Sequence, residues 1–464
     1  MDWHGKKVAL IGLGRSNAAV ARYLLAGGVR VTACDRKNAA ELGHYYNELA
    51  ARGAEFQLGP NYLEKLERFD ILVVSPGVKP SLPELQRAKA YGVKLTNEIG
   101  IFLNRCRAPV IGITGTSGKT TTATMIAEIL SAAGYRLFLG GNMGKPLIDQ
   151  VNKITPESWV VLELSSFQLD LLERSPQIAL ITNISPDHLD FHASMVEYIA
   201  AKKHIFKYQN GHNWTVLNAD NPITRKMAGE VPGRLSLFSV KKMVERGACL
   251  ESERIMSCRA GLLMEIAKVS EIKLIGRHNI ENVLAAVAVA DIVGCSAGAM
   301  HDVVTSFTGV AHRLELVREA GGIAYYNDSV ATTPVEAAAG MRAFGRPVIL
   351  IAGGVDKNLP WDEFVKAVAD TAKAVVLIGK AKESIAAALA EGGVSHIPVK
   401  FAGSLEEAVE TAKNMAQAGD IVLLSPACAS FDMFANFEER GQRFREIIYK
   451  LTEEAPLSGI KYDS

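Results

Sequence analysis

An apolar run, Pro109-Val110-Ile111-Gly112-Ile113-Thr114, enters a glycine loop, Gly115-Thr116-Ser117-Gly118-Lys119-Thr120-Thr121, and leaves it as a helical stretch from Thr122 to Ala132. Strand, glycine loop and helix in that order suit a buried strand of a parallel sheet followed by its crossover helix. Backbone N–H groups at such a helix start point at phosphates, and Lys119 is placed to neutralise β/γ charge. The Thr120 hydroxyl is placed to ligate Mg²⁺. The match to G-x-x-x-x-G-K-[ST] is imperfect, because Ile113 stands at the first glycine position. The combination nevertheless points to ATP as the nucleotide.

The rest of the chain repeats the alternation. Lys7 to Ile11 is a short apolar run leading into Gly12-Leu13-Gly14, followed by a helical stretch from Asn17 to Ala26 and a strand from Val29 that stops at Asp35. Ile71 to Val74 is another strand, ended by Ser75-Pro76-Gly77. Further strands are expected over Trp159 to Leu164, Ile178 to Ile184, Val348 to Ala352, Ala374 to Ile378 and Asp420 to Leu424. Alternating βα units bounded by Gly and Pro imply parallel sheets with helices on both faces, and ligands gather at the C-terminal strand ends. The stretch from Lys241 to Ala260 is less regular and is expected to be β-rich and peripheral. Val283 to Met300, alanine-rich and interrupted by Asp291, is expected to be one buried helix.

At roughly 150 residues per domain, 464 residues suggest three domains. The expected division is 1–98, 99–309 and 310–464: an α/β chain with a Rossmann-like N-terminal domain, a central P-loop ATPase domain on a parallel sheet, and a Rossmann-like C-terminal domain. Hydrophobic residues at 48% and charged residues at 22% are ordinary for a globular chain. Lys plus Arg (51) against Asp plus Glu (50) leaves a formal +1, which argues against a dedicated binder of nucleic acid or acidic membrane. Six cysteines (Cys34, Cys106, Cys249, Cys258, Cys295, Cys428) form no CxxC pair, so neither a disulfide framework nor a zinc site is expected. The N-terminus lacks a signal-peptide pattern. A cytoplasmic protein without membrane insertion is expected.

Other positions leave alternatives open. Gly12-x-Gly14-x-x-Asn17 resembles a dinucleotide fingerprint, but Asn17 replaces the third small residue. Asp35, 21 residues after Gly14, stands where a ribose-binding acid would sit. NAD, another nucleotide and a purely structural turn all remain possible there. Glu163 ends a strand facing the phosphate loop, a reasonable Mg²⁺ ligand. Pro186-Asp187-His188-Leu189-Asp190-Phe191-His192 is dense in ligand types, and reads equally as a metal site or a solvated loop. Lys202, in Ala200-Ala201-Lys202-Lys203-His204, reads by itself as an exposed helix lysine.

Together these segments resemble the Mur ligase family, ATP-dependent amide-bond formers of peptidoglycan precursor synthesis, in order and over nearly the whole chain. The resemblance implies a nucleotide site at Gly115, Thr116, Ser117, Gly118, Lys119, Thr120 and Thr121, with Asn279 (His-Asn-Ile-Glu-Asn), Arg313 (Ala-His-Arg-Leu-Glu) and Asp328 (Asn-Asp-Ser). Domain closure would bring Arg313 and Asp328 into play. It implies two Mg²⁺ ions, one by Thr120 and Glu163, the other by His188 and by Lys202 carried as a CO₂-derived carbamate. Only a neutral amine reacts with CO₂, so burial or a nearby cation has to disfavour the ammonium. Lys119, His188, Lys202 and Arg313 would be the catalytic set.

Within the family, the short Gly-Leu-Gly N-terminal domain, Gly-Gly-Asn-Met-Gly and Ser-Pro-Ala-Cys-Ala-Ser-Phe-Asp look like the glutamate-adding branch. UDP-N-acetylmuramoyl-L-alanine would then meet Gly14, Arg15, Ser16, Asp35, Arg36, Ser75, Gly77, Asn142 and His188. Glutamate would meet Thr332, Lys357, Ser430, Phe431 and Phe437. The implied reaction passes through an acyl phosphate, and a monomer is expected. One departure stands out: Asn-Asp-Ser-Lys-Ala-Thr-Asn in the branch is Asn327-Asp328-Ser329-Val330-Ala331-Thr332-Thr333 here. Loss of that lysine keeps L-glutamate as an alternative to D-glutamate. The rivals are an NAD-dependent dehydrogenase using Gly12-x-Gly14, an ATP-driven switch, and a folylpolyglutamate synthase type. That last type typically lacks a separate nucleotide-sugar domain.

Overall fold

The computed structural model describes residues 3, 5–142, 146–186, 192, 194–259, 262–274, 276–357 and 359–453. Three sheets organise them. The first is built from β1 (Lys7–Ile11), β2 (Arg30–Asp35), β3 (Glu55–Leu58), β4 (Ile71–Val74) and β5 (Lys94–Thr96). Its order is β3-β2-β1-β4-β5, with every neighbour parallel. The chain leaves β1 toward β2 and later returns to the other side at β4, so the crevice beyond β1 and β4 is the switch point where ligands collect.

The central sheet comprises β6 (Val110–Thr114), β7 (Leu137–Gly141), β8 (Trp159–Glu163), β9 (Ile178–Ile181) and β10 (Trp214–Asn218). It continues with β11 (Arg234–Ser239), β12 (Arg246–Glu251), β13 (Arg254–Arg259) and β14 (Leu262–Lys268). Its order is β14-β13-β12-β11-β10-β9-β6-β8-β7, parallel as far as β12 and antiparallel from β12 to β14. The third sheet contains β15 (Glu315–Ala320), β16 (Ile323–Asn327), β17 (Val348–Gly353), β18 (Ala372–Ile378), β19 (Val399–Phe401) and β20 (Ile421–Leu424). Its order is β15-β16-β20-β17-β18-β19, with only the edge pair β15–β16 antiparallel. Every residue of β6, β9 and β17 is buried. Helices cover both faces of those strands, which is why they read as continuous apolar runs rather than alternating ones.

The α/β architecture agrees with the sequence reading, and the irregular stretch after Lys241 is the antiparallel, peripheral part of the central sheet. One expectation fails. Val283 to Met300 is not a single helix but the end of one, Arg277–Val293, and the start of another, Ala297–Ser306. Gly294 takes a left-handed φ of 92°, and the Cys295 amide closes back on the Ala290 carbonyl. Ser296 then caps the next helix by accepting from the Ala299 amide. A glycine stop followed by a serine start outweighs the apolar composition across it. Among the described residues no helix is long and apolar enough to cross a membrane.

Two compact units result. One runs to Lys273 and resumes over Arg277–Phe307; the other takes Leu274–Gly276 and the chain from Thr308. Within the first unit the first and central sheets share one continuous core, in which Leu24, Ile99, Phe102, Ile148 and Leu162 are all buried. Arg22 adds an ion pair at 2.7 Å to Asp149.

Glu98, 5% exposed at the start of helix Glu98–Arg105, is the costly member of this packing. Burial pushes its carboxyl from 4.5 up to about 7, opposed by the Ile148 amide that donates to it. The folded state therefore holds this proton more tightly than the unfolded chain does. Its contribution to stability is full below about pH 4.5 and is lost as pH rises to about 7. Glu98→Gln is expected to flatten that slope, worth on the order of 3 kcal/mol. Denaturant midpoints of both proteins, measured across the window, would diverge toward neutral pH. Parallel curves would refute the assignment.

Candidate nucleotide and substrate sites

The phosphate loop joins β6 to the helix Lys119–Ala132. Gly115 (φ 153°) and Gly118 (φ 79°) sit in backbone regions where L side chains are strained. Space forbids them as well: a Cβ at Gly115 would lie 1.9 Å from Thr182 Oγ1, and one at Gly118 would lie 2.2 Å from Asn282 Oδ1. The loop is tied from the strand beyond it. The Thr116 amide donates to the Asn183 carbonyl (2.9 Å), the Ser117 amide to Asn183 Oδ1 (3.0 Å), and Thr182 Oγ1 to the Ser117 carbonyl (2.7 Å). Lys119 Nζ folds over the loop, donating to the carbonyls of Gly115 (3.0 Å) and Thr116 (2.8 Å). Thr121 follows in the first helical turn.

Thr120 and Glu163, paired by expectation, meet in space. Thr120 Oγ1 donates to Glu163 Oε2 at 2.7 Å, and Asn142 Nδ2 donates to Glu163 Oε1 at 3.1 Å. Asn142, expected along the sugar path, thus has its side chain on the carboxylate. The hydroxyl and carboxylate oxygens are hard donors of the kind Mg²⁺ prefers. Asn279 lies in the first turn of helix Arg277–Val293 and accepts from Asn282 Nδ2 at 2.9 Å. Asn282 Oδ1 in turn accepts from Thr122 of the phosphate-loop helix at 3.3 Å.

Lys202 is the largest departure from its isolated reading. Only 2% of it is exposed, and its Nζ donates to the Gly115 carbonyl at 3.0 Å. Two lysines, Lys119 and Lys202, thus converge on one carbonyl oxygen. Tyr198, one helical turn earlier and fully buried, presents its ring face to Lys202 Nζ at 4.5 Å and its hydroxyl to Thr116 Oγ1 at 3.1 Å. Sequence reasoning missed Tyr198, although its i, i+4 spacing to Lys202 was available as a signal. His188 lies outside the described residues. His192 Nε2 sits 2.9 Å from Ser166 Oγ, with its ring stacked on Phe167.

At the first sheet, Gly14, Arg15 and Ser16 open the helix Arg15–Ala26, while Asp35, Arg36, Ser75 and Gly77 stand at the neighbouring strand ends. Arg15, Arg36 and Gly77 are exposed. Asn17 fills the third glycine position with work of its own: Nδ2 faces the carbonyls of Gly12 (2.8 Å), Val73 (3.1 Å) and Ile11 (3.2 Å). Asp35 accepts from the amides of Leu13 (2.6 Å) and Lys37 (2.9 Å). The acid thereby braces the turn.

In the second unit Arg313 is exposed between His312 (φ 64°) and Leu314 (φ 43°), both left-handed. Such strain persists only where surroundings enforce it. Here the His312 amide donates to Glu315 Oε2 (2.8 Å), and the Leu314 amide to Asp328 Oδ1 (3.2 Å). Asp328 also accepts from Ser425 Oγ at 2.8 Å, and burial pushes its carboxyl up to about 7. Lys357 Nζ donates to Thr332 Oγ1 at 2.9 Å. Phe437 stands edge-on to His312, Ser430 is buried, and Phe431 is 73% exposed.

Arg440 was missed as well, hidden in the polar run Glu438-Glu439-Arg440-Gly441. It is 1% exposed and donates to Ser329 Oγ (3.0 Å), the Ser329 carbonyl (2.9 Å) and the Cys428 carbonyl (3.1 Å). Burial pulls its guanidinium down to about 10. It pins the Asn-Asp-Ser loop to the Ser-Pro-Ala-Cys loop. Arg440→Met is expected to cost about 3 kcal/mol by orphaning those acceptors. Urea unfolding of the variant would show this, and an unchanged midpoint would rule out the pin.

Three family patterns match the chain: the Mur ligase MurD-like N-terminal domain over residues 6–97, the Mur ligase middle domain over 113–290, and the Mur ligase glutamate ligase domain over 312–428. The chain belongs to the Mur ligase family. A UDP-N-acetylmuramoylalanine--D-glutamate ligase of Symbiobacterium thermophilum is 48% identical to this Mur ligase over 451 residues, covering 96% of this chain and 98% of the relative. The enzyme of the same name from Acetivibrio thermocellus is 44% identical over 449 residues, covering 96% of each chain. Among solved structures, the UDP-N-acetylmuramate-alanine ligase MurC of Thermotoga maritima superposes with a TM-score of 0.55 at 22% identity, covering 96% of this chain and 100% of that one. MurF of Acinetobacter baumannii gives 0.57 at 16% identity, covering 96% and 93%. At these identities the two structures speak for a shared Mur ligase fold.

Proposed function

We propose that this Mur ligase joins D-glutamate to UDP-N-acetylmuramoyl-L-alanine at the expense of ATP, in peptidoglycan precursor synthesis. The observation that carries the reading is the convergence of Lys119, Lys202, Thr120 and Glu163 around one glycine loop, in a chain whose relatives bear the D-glutamate ligase name over nearly their whole length. A carboxylate is a poor electrophile, so amide formation in water needs an activated acyl group. The alanyl carboxylate attacks the γ-phosphorus of ATP, giving an acyl phosphate and ADP. The glutamate amine then attacks the acyl carbon, and inorganic phosphate leaves as the C–N bond forms.

Positioning and charge neutralisation dominate phosphoryl transfer. Loop amides and Lys119 would hold the phosphates, and the glycines keep side chains out of that space. Thr120 and Glu163 would hold a Mg²⁺ ion that, when bound, offsets phosphate charge. Lys202, as a carbamate, would with His188 hold a second. Burial and a neighbouring cation, the two conditions that favour a neutral amine, are both present at Lys202.

For the other residues the proposal is made one by one. Gly14, Arg15, Ser16, Asp35, Arg36, Ser75, Gly77, Asn142 and His188 would contact the uridine-linked substrate. Asn279, Arg313 and Asp328 would contact nucleotide, and Thr332, Lys357, Ser430, Phe431 and Phe437 would contact glutamate. Domain limits near 98 and 310, a cytoplasmic location and a monomeric state belong to the same proposal.

Phosphate release with ATP, Mg²⁺ and UDP-N-acetylmuramoyl-L-alanine tests it, comparing D-glutamate, L-glutamate and neither. Release with D-glutamate alone is expected, making Val330 a tolerated change. Release with L-glutamate alone would keep the chemistry and reassign the pocket. No release with either would overturn the acceptor.

A further inference from the structure

Three sulfur atoms meet where the central sheet turns antiparallel. Cys249 Sγ lies 3.2 Å from Cys258 Sγ and 3.5 Å from Met243 Sδ. Cys249 is on β12 and Cys258 on β13, while Met243 is in the segment leading into β12. Strand β12 is four positions from β6 in the sheet, roughly 19 Å at ordinary strand spacing, so the cluster is separate from the phosphate loop. Both thiols are fully buried among Leu237, Val244 and Met256, whereas Met243 is 47% exposed.

The strand register decides how the two cysteines relate. Cys249 opposes Met256 and Cys258 opposes Gly247, so the cysteines are diagonal neighbours rather than a facing pair. Diagonal partners typically stand about 7–8 Å apart at the backbone. Disulfides usually require Cα atoms within about 4.4–6.8 Å. A ladder of that ordinary spacing brings the sulfurs together across backbones set wider than a disulfide prefers. Leu237, Val244 and Met256 offer no oxygen or nitrogen side chain, and Asp291, whose charge reaches Cys258, is engaged by Ser257 and Arg259, so a hard ion is poorly served. A closed structural zinc site would lack its fourth donor. Two thiols and a thioether instead match a soft ion of low coordination number.

We propose that Met243, Cys249 and Cys258 form a binding site for copper(I). On loading, two copper–sulfur bonds form as Cys249 and Cys258 each release a proton to solvent, and the neutral Met243 thioether completes the set. The copper stays in its +1 state throughout, so no oxidant or reductant takes part. Metal–sulfur bonds of about 2.3 Å in a trigonal plane place sulfurs about 4 Å apart. The cysteine sulfurs, at 3.2 Å, therefore have to part by about 0.8 Å and the Cys249–Met243 pair, at 3.5 Å, by about 0.5 Å, and the half-exposed Met243 offers both the slack and the route in. Burial pushes the Cys258 thiol up to about 12, so without a thiophilic ion it stays protonated. The Val244 amide facing its sulfur favours the thiolate once the proton is displaced.

The test uses the full, reduced chain, titrated without oxygen with copper(I) against a chromophoric copper(I) chelator. One equivalent is expected to leave the chelator, with a sulfur-to-copper charge-transfer band and an X-ray absorption signal of three sulfur neighbours. Cys249→Ser and Cys258→Ser should each weaken binding by on the order of 100-fold, and Met243→Leu by about tenfold. Phosphate release by the copper-free variants, unchanged from the parent, reports that they are folded. Equal uptake by the parent and by the Cys249→Ser/Cys258→Ser double variant would overturn the site. So would loss of two hydrogen masses in air combined with no copper uptake after re-reduction.

Discussion

Lys119→Ala is expected to lower the rate of phosphate release by on the order of 10²–10³ and to abolish the rise in melting temperature that ATP confers. The side chain reaches back to the carbonyls of Gly115 and Thr116, so its ammonium is held over the space those glycines keep clear. Removing it leaves the Thr116 carbonyl to water and the Gly115 carbonyl to Lys202, and spares the ties from Thr182 and Asn183 that shape the loop. The fold should survive, and the loss should fall on charge neutralisation. Unchanged ATP affinity in the variant would sink the phosphate-loop assignment.

Lys202→Ala is expected to cost a similar amount, on the order of 10³ in turnover or about 4 kcal/mol of barrier. Its diagnostic is what restores activity. If Lys202 acts as a carbamate, then R–NH₂ and CO₂ have given R–NH–COO⁻ and a proton, and the essential group is an anionic oxygen. Formate or acetate should then recover part of the alanine variant's rate, and Lys202→Arg should stay inactive. ¹³C-labelled CO₂ should also give a carbamate resonance in the parent that the variant lacks. If Lys202 instead serves as a buried ammonium on the Gly115 carbonyl, arginine would retain some activity and carboxylates would do nothing.

What could be read from the sequence was local in origin. The phosphate loop declared itself because strand, glycines, lysine and helix are consecutive, and β1, β4 and β17 did so because strands covered on both faces are uniformly apolar. Lys202 and Arg440 could not be read this way. Each sits in a polar stretch of helix, and only packing against distant segments buries it: Gly115 for the one, Ser329 and Cys428 for the other. The antiparallel edge pair β15–β16 was missed because its outer strand, Glu315–Ala320, is half polar and only half-covered. The broken helix near Gly294 was misjudged because apolar composition was allowed to outweigh a glycine followed by a capping serine. Asn17, an apparent defect in the glycine fingerprint, is explained only by three carbonyls from two strands.

The core shared by the first and central sheets makes them thermodynamic partners. Leu24 belongs to the same buried cluster as Phe102 and Leu162, so neither sheet can melt without exposing apolar surface of the other. A nucleotide at a hundred times its dissociation constant adds about 2.7 kcal/mol to whatever must unfold with its site. Here that gain extends to the switch-point crevice at β1 and β4, which the nucleotide would not touch. Protection from proteolysis at the first sheet would then report occupancy of the phosphate loop, and a fragment cut near residue 98 would forfeit that shelter.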